Sequence, residues 1–147
     1  MKTRFLSVLT LTGLLAAASA VAAPRVIEIT ANDTMQFSVK SIDAKVGEEL
    51  KVVFTNVGTL PKEAMGHNWV LLKPGTDANA FGAAAVTAKD NNYVPVSMKD
   101  KVVASTKVLG PKQKDEVTFK LEAAGEYTYI CSFPGHFAAM KGTIKVK

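Results

Sequence analysis

Short segments in which every second residue is apolar run through most of this 147-residue chain and constrain its fold more than any other feature. A period of two places alternate side chains on opposite faces of an extended strand, so each segment predicts a strand with one buried face. Turn residues separate the segments. The apolar segments lie around residues 26–29, 35–39, 50–54, 69–72, 102–109, 117–121, 127–129 and 144–146. About eight short strands divided by regular turns predict an all-β fold, an antiparallel sandwich or barrel.

One segment departs from the period of two. Residues 77–89 are rich in alanine, and their apolar residues recur with helical spacing. Thr76 or Asp77 could cap the first turn of a helix there. We therefore predict one short helix inserted between strands.

The first 22 residues differ in composition from the rest of the chain. Two basic residues precede an apolar run, and small residues follow it. This is the layout of a secretory signal peptide, and the run is shorter than the ~20 apolar residues of a membrane span. We predict a signal peptide over residues 1–22, cleaved after Ala20 or Ala22, and a single domain over residues 23–147 that does not insert into a membrane. The alternative is a single-pass N-terminal anchor.

The net charge of the predicted domain is mildly positive. The full chain has 18 basic and 13 acidic residues, a net charge of +5, which becomes +3 without the two basic residues near its start. Such a small, scattered charge argues against nucleic-acid binding. It favours an encounter with an acidic partner surface.

The residues best suited to metal chemistry collect in two short segments. Cys131, His136 and Met140 fall between the last two predicted strands, and His67 precedes the strand around residues 69–72. The chain has one cysteine and two histidines, all of them in these segments. A lone cysteine in an exported protein needs protection from oxidation, by burial or by metal ligation. Singly, each residue could be structural, but together they predict a metal site.

The donor types identify the metal. Two imidazoles and a thiolate in a trigonal arrangement, with a distant thioether, form the pattern of type 1 (blue) copper. Zinc takes four firm ligands, and iron–sulfur clusters need more cysteines than this chain has. The sequence therefore predicts one copper ion bound by His67, Cys131, His136 and Met140. A filled coordination sphere predicts an electron carrier, because catalytic metals usually keep an open position.

The same segments make the sequence resemble the azurins, bacterial blue copper proteins of the cupredoxin family. The resemblance is carried by residues 32–37, 60–62, 65–70 and 131–143, and it extends along nearly all of the predicted domain. It implies a Greek-key sandwich with copper near one end. It also implies that His67, Cys131 and His136 are equatorial ligands and that Met140 is axial.

The resemblance further implies roles for neighbouring residues. The Gly66 carbonyl would be a weak additional contact to copper. Asn68 would hydrogen-bond near the Cys131 sulfur and tie the two ligand segments together, and the Phe133 backbone N–H would donate to the same sulfur. Such bonds orient ligands and tune the potential.

The predicted signal peptide implies export to the periplasm, and we expect a monomeric carrier there. The family suggests transient redox partners, such as a c-type cytochrome and a terminal reductase. These partners would dock on an apolar patch around the exposed edge of His136. We define the docking patch as Leu60, Met65, Phe137 and Ala138.

Two departures from the family are visible. The usual disulfide between the N-terminus and an early strand is impossible with one cysteine. Asn56 stands where many azurins have a third histidine whose protonation changes the potential. We therefore expect no pH dependence of the potential from that position.

Two other functions compete with electron transfer. The same soft ligands would suit a periplasmic copper store or chaperone, although exposed Met or His clusters beyond the site are missing from the sequence. A metal-free adhesion or interaction module on a sandwich scaffold is the other alternative, since fold alone does not imply function.

Overall fold

Two packed β-sheets form the body of the protein. The computed structural model describes residues 23–147, so the predicted signal peptide over residues 1–22 lies outside the described residues. The strands are β1 (Arg25–Ala31), β2 (Ser41–Ala44), β3 (Glu49–Asn56), β4 (Val70–Leu72), β5 (Val102–Ser105), β6 (Lys114–Lys120), β7 (Gly125–Ile130) and β8 (Lys141–Val146). The helices are α1 (Lys62–Met65) and α2 (Ala78–Ala85), with 3-10 turns at Lys89–Asn91 and Val96–Lys101. The predicted all-β fold class is confirmed.

The strand directions differ in part from the wholly antiparallel prediction. The first sheet has the order β1-β3-β6 and the second the order β2-β8-β7-β4-β5. β1 runs parallel to β3, and β2 runs parallel to β8. The chain passes from the first sheet to the second and back between β1 and β3, which allows these neighbours to run in the same direction. A period of two reports which face is buried and carries no information on a neighbour's direction.

The strand predicted around residues 35–39 is wrong. Met35 has a left-handed backbone with φ of 55°. The Asn32 side chain holds the turn before it, accepting from the Thr34 N–H at 3.1 Å. Phe37 makes only an isolated bridge to Ala31, and β2 follows later. The apolar side chains of this loop enter the core without belonging to a strand.

The core lies between the sheets and is rich in aromatic rings. Along β3 every second residue is fully buried, as the alternation predicted. Trp69 has no exposed surface and stacks on Phe119 with ring centroids 5.6 Å apart. Phe37 and Tyr129 meet edge to face at 5.4 Å. Such pairs add about 0.5–1.5 kcal/mol each to the burial of the rings.

The inserted helix is confirmed and is shorter than predicted. The Asp77 carboxylate accepts from the backbone N–H groups of Asn79 and Ala80, at 2.8 and 3.1 Å, which caps α2. A second, smaller core lies beneath α2 and contains Val70, Leu72, Phe81, Val94 and Ile130. The four-residue α1, which follows Pro61, was not predicted. Among residues 23–147, no helix has the length and hydropathy needed to cross a membrane.

Candidate metal centre

Three of the predicted ligands meet at one point. The ligand atoms of His67, Cys131 and His136 all lie within 4.8 Å of one another. The Cys131 Sγ is 3.5 Å from Nδ1 of His136 and 3.9 Å from Nδ1 of His67. Two metal bonds of about 2.0–2.3 Å at a trigonal angle separate their ligand atoms by roughly 3.5–4 Å. The three donors therefore have the spacing that a trigonal metal ion requires.

Backbone hydrogen bonds close the loop that carries three of the predicted ligands. We call residues 131–140, between β7 and β8, the ligand loop. The Cys131 N–H donates to the Met140 carbonyl at 3.0 Å, and the Met140 N–H donates to the His136 carbonyl at 2.9 Å. Met140 is fully buried and directly precedes β8. Both ends of the loop are therefore fixed by the sheet.

His67 is held by a separate backbone pairing. Its N–H donates to the Leu109 carbonyl at 3.1 Å, and its carbonyl accepts from the Leu109 N–H at 2.7 Å. Gly66, at the end of α1, is buried so tightly that a Cβ there would lie 2.6 Å from the Lys62 carbonyl. Only glycine fits this position without a shift. The predicted contact between the Gly66 carbonyl and copper stays a prediction.

The Asn68 side chain joins the His67 segment to the ligand loop. Its Nδ2 donates to the Ser132 hydroxyl at 2.9 Å, and its Oδ1 accepts from the Ser132 N–H at 2.8 Å. The backbone N–H groups of Asn68 and Phe133 both interact with the Cys131 sulfur and act to lower its pKa. The structure thus brings the backbones of Asn68 and Phe133 to the Cys131 sulfur, and Ser132 is hydrogen-bonded to the Asn68 side chain.

Two further residues of this network were missed by sequence reasoning. The Asn68 amide also donates to the Asn92 carbonyl at 2.8 Å, and the Ser132 hydroxyl donates to the Tyr93 carbonyl at 2.7 Å. Asn92 and Tyr93 both have left-handed backbones, with φ of 52° and 57°. Asparagine tolerates this conformation, but tyrosine adopts it rarely, so nothing in the sequence pointed to this turn.

Burial keeps the three side chains neutral when no metal is bound. Burial raises the pKa of the Cys131 thiol to about 12. Burial, helped by the nearby His67, lowers the pKa of His136 from 6.5 to about 4. Burial also lowers the pKa of His67, while the Asn32 backbone and the Asp33 carboxylate act in the opposite direction. The buried Nε2 of His67 has no hydrogen-bond partner of good geometry. Metal binding must therefore release the thiol proton, while the imidazoles need no deprotonation at neutral pH.

Comparison with known proteins decides the family. Residues 24–147 match the family of copper binding proteins described as the plastocyanin/azurin family. The chain belongs to this family. It is 44% identical over 126 residues to azurin-1 of Alcaligenes xylosoxydans xylosoxydans, covering 82% of this chain and 95% of that protein. Copper is therefore its cofactor, and the chain is a blue copper electron-transfer protein.

Solved structures of blue copper proteins have the same fold. The azurin iso-2 of Methylomonas sp. strain J superposes with a TM-score of 0.74 at 39% identity, covering 85% of this chain and 99% of that one. Auracyanin A of Chloroflexus aurantiacus, a "blue" copper protein, gives a TM-score of 0.75 at 30% identity, with 85% and 100% covered.

The donor set of this family member fits copper. The cluster consists of one thiol and two imidazoles and includes no carboxylate. The side chains of His67, Cys131 and His136 are at most 3% exposed, so water has little access to the donors. Soft sulfur and borderline nitrogen donors in a dry, preformed site suit copper far better than a hard cation.

The four residues of the predicted docking patch differ in their exposure to solvent. Leu60 is 43% exposed, Ala138 is exposed and Met65 is half-buried. Phe137 is also half-buried, but it packs against the second core beneath α2. His136 retains 3% of its surface, so only a small edge of the ring can face a partner.

Asn56 is buried beside the site and cannot titrate. Its Nδ2 donates to the Leu109 carbonyl at 3.0 Å, and its Oδ1 accepts from the Gly58 N–H at 2.9 Å. The same Leu109 carbonyl accepts from the His67 N–H. Asn56 therefore supports the His67 segment with neutral hydrogen bonds.

Proposed function

We propose that this protein is a periplasmic carrier of single electrons, with copper held by His67, Cys131, His136 and Met140. The observation that carries the proposal is the convergence of three soft or borderline donors within 4.8 Å in a buried site without a carboxylate. Bound there, copper supplies the Cu(I)/Cu(II) couple. The position of Met140 at the closed end of the ligand loop supports its role as the fourth, weaker ligand.

The surrounding residues prepare the site for electron transfer. Asn68 and Ser132 fix the two ligand segments relative to each other through paired hydrogen bonds of 2.8 and 2.9 Å. The backbone pairing of His67 with Leu109 fixes the third donor. A site held this rigidly keeps its geometry in both oxidation states, which lowers the reorganisation that accompanies each transfer.

The surface near His136 suits brief contacts with redox proteins. Leu60 and Ala138 are exposed, and Met65 is half-buried. A small apolar contact area is typical of weak, transient electron-transfer complexes. Suitable partners are a c-type cytochrome and a terminal reductase, with the carrier acting as a monomer. The signal peptide predicted over residues 1–22 supports export to the periplasm.

Two measurements on the copper-loaded protein test this proposal against a copper store or chaperone. We expect fast electron self-exchange and rapid reduction by a c-type cytochrome, with slow loss of copper to a competing chelator. Slow self-exchange together with rapid copper loss would support the store and contradict the carrier.

A further inference from the structure

The residue that follows each of three predicted ligands contacts the same segment of the chain. This segment, the β4–β5 connection, comprises residues 73–101 and contains α2 and both 3-10 turns. Asn68 follows His67, Ser132 follows Cys131, and Phe137 follows His136. Two of these neighbours reach the connection through hydrogen bonds, and the third reaches it through the packing of an aromatic ring.

Two of the contacts are hydrogen bonds to one strained turn. The side chains of Asn68 and Ser132 donate to the carbonyls of Asn92 and Tyr93, at 2.8 and 2.7 Å. The left-handed backbone at both acceptors aims these adjacent carbonyls at the ligand segments. The Asn92 side chain also accepts from the Val108 N–H at 3.0 Å, next to the residue that pairs with His67. Strain of this kind persists only where surrounding contacts hold it.

The third contact is a ring placed against a helix backbone. The Phe137 ring covers Gly82 of α2 so closely that a Cβ on Gly82 would overlap it. Gly82 is buried, and Phe137 packs against the second core beneath α2. Phe137 lies between His136 and Met140 in the ligand loop, so the position of its ring constrains the backbone of both.

The connection is firm enough to serve as a support. Asp77 caps the first turn of α2, and the buried Phe81 fixes the helix on the second core. Glycine in a helix interior costs about 0.5–1 kcal/mol relative to alanine. Gly82 therefore lowers helix stability, and the close approach of the Phe137 ring accounts for its presence.

We propose that the β4–β5 connection is a positioning element for the metal site, and that Gly82 and Phe137 are the positioning residues that fix the His136–Met140 part of the ligand loop. This inference rests on the proposed function, because it assigns these residues a role toward the bound copper. It goes beyond that function in placing part of the site's support on α2.

A double-mutant cycle tests the contact. Gly82→Ala should push the ring away and weaken copper binding by roughly 10–100-fold, the range typical of residues that support metal ligands. Phe137→Ala should weaken it similarly. In the Phe137→Ala background, Gly82→Ala should have no further effect on copper affinity and should leave the helix as stable or more so. Affinity is measured by chelator competition, with the visible spectrum recorded for each variant.

Two more variants keep the test decisive. Leu50→Ala removes a fully buried side chain from the main core, at the opposite end of β3 from Asn56 and outside the second core on which α2 and Phe137 pack. It should therefore lower stability without altering copper affinity or the spectrum. Phe137→Leu keeps an apolar side chain over Gly82 and should recover most of the affinity lost in Phe137→Ala, even where Gly82→Ala fails to fold. Equal losses of copper affinity in Leu50→Ala and Phe137→Ala, or an undiminished effect of Gly82→Ala without the ring, would overturn the proposal.

A measurement on the metal-free protein separates this inference from the proposed function. The Met140 N–H donates to the His136 carbonyl in the ligand loop. Its hydrogen exchange should be on the order of tenfold faster in Gly82→Ala and in Phe137→Ala than in the parent, and unchanged in Leu50→Ala, because local opening governs exchange. A parent protein that fails to bind copper would refute the proposed function. Unchanged exchange in both positioning variants would refute the inference, whether or not copper binds.

Discussion

Lowering the pH should destabilise the metal-free protein through its buried histidines. Burial, with a smaller contribution from His67, lowers the pKa of His136 from 6.5 to about 4, and the side chain is only 3% exposed. Between these two values the unfolded chain binds a proton at this position and the folded chain does not. The free energy of unfolding must therefore fall as the pH decreases through this window.

The size of the effect follows from the two pKa values. A tenfold change in proton affinity is worth about 1.4 kcal/mol, so the drop in the pKa of His136 corresponds to on the order of 3 kcal/mol. The pKa of His67 is also lowered, which adds a contribution of the same sign. The carboxyls of Asp33 and Glu48 have lowered pKa values as well, so their contributions are present above their ordinary values and are lost only at lower pH.

Urea unfolding of the metal-free protein, from about pH 7.5 down to about pH 4.5, measures this dependence where the histidines dominate. We expect the free energy of unfolding to fall steadily over this range. The His136→Gln variant is the matched control: it lacks the titrating group and should show a much shallower fall. A free energy that stays constant or rises toward low pH, or an equal slope in the variant, would refute the reasoning.

Three further predictions concern residues around the site and at the strand ends. Asn68→Ala leaves buried partners, including Ser132, without their hydrogen bonds and should cost about 2–3 kcal/mol in denaturant unfolding; a loss below about 0.5 kcal/mol would contradict the role of the amide. The reduction potential of the copper protein should show no titration attributable to Asn56, so voltammetry should give the same pH dependence for Asn56→Gln. The exposed Arg25–Glu48 ion pair, 2.6 Å long, should contribute about 0.2–1 kcal/mol at neutral pH, measured with Glu48→Gln. The Arg25 hydrogen bond lowers the pKa of Glu48, and burial opposes this only slightly. Protonation of Glu48 in acid removes the ion pair, so the stability difference between the parent and Glu48→Gln should vanish in acid. A difference that persists in acid would contradict the contribution of the pair.

The parts of the fold that depend on local pattern were predictable from the sequence. The alternation along β3 and β7 reports one buried face, and the structure buries those residues. The Asp77 cap follows from the hydrogen-bond chemistry of a short carboxylate at a helix start. The ligand spacing in residues 131–140 similarly reflects one loop closing on a single point.

The parts that depend on chain crossing and distant contacts were not predictable. Parallel pairing of β1 with β3 results from the path of the chain between sheets, which no local pattern encodes. The left-handed turn at Asn92 and Tyr93 is held by side chains from distant segments. The contact between Gly82 and Phe137 joins residues far apart in sequence. The sequence alone predicts a surface position for Phe137 beside His136, since the helix that covers its ring lies elsewhere in the chain.

The visible spectrum of the protein loaded with copper(II) tests the central claim most directly. If His67, Cys131, His136 and Met140 form a type 1 site, the parent should show an intense sulfur-to-copper charge-transfer band, since the Cys131 thiolate is the predicted trigonal donor. The band should be absent in Cys131→Ser. A parent protein without the band, or a band that survives in Cys131→Ser, would contradict the assignment.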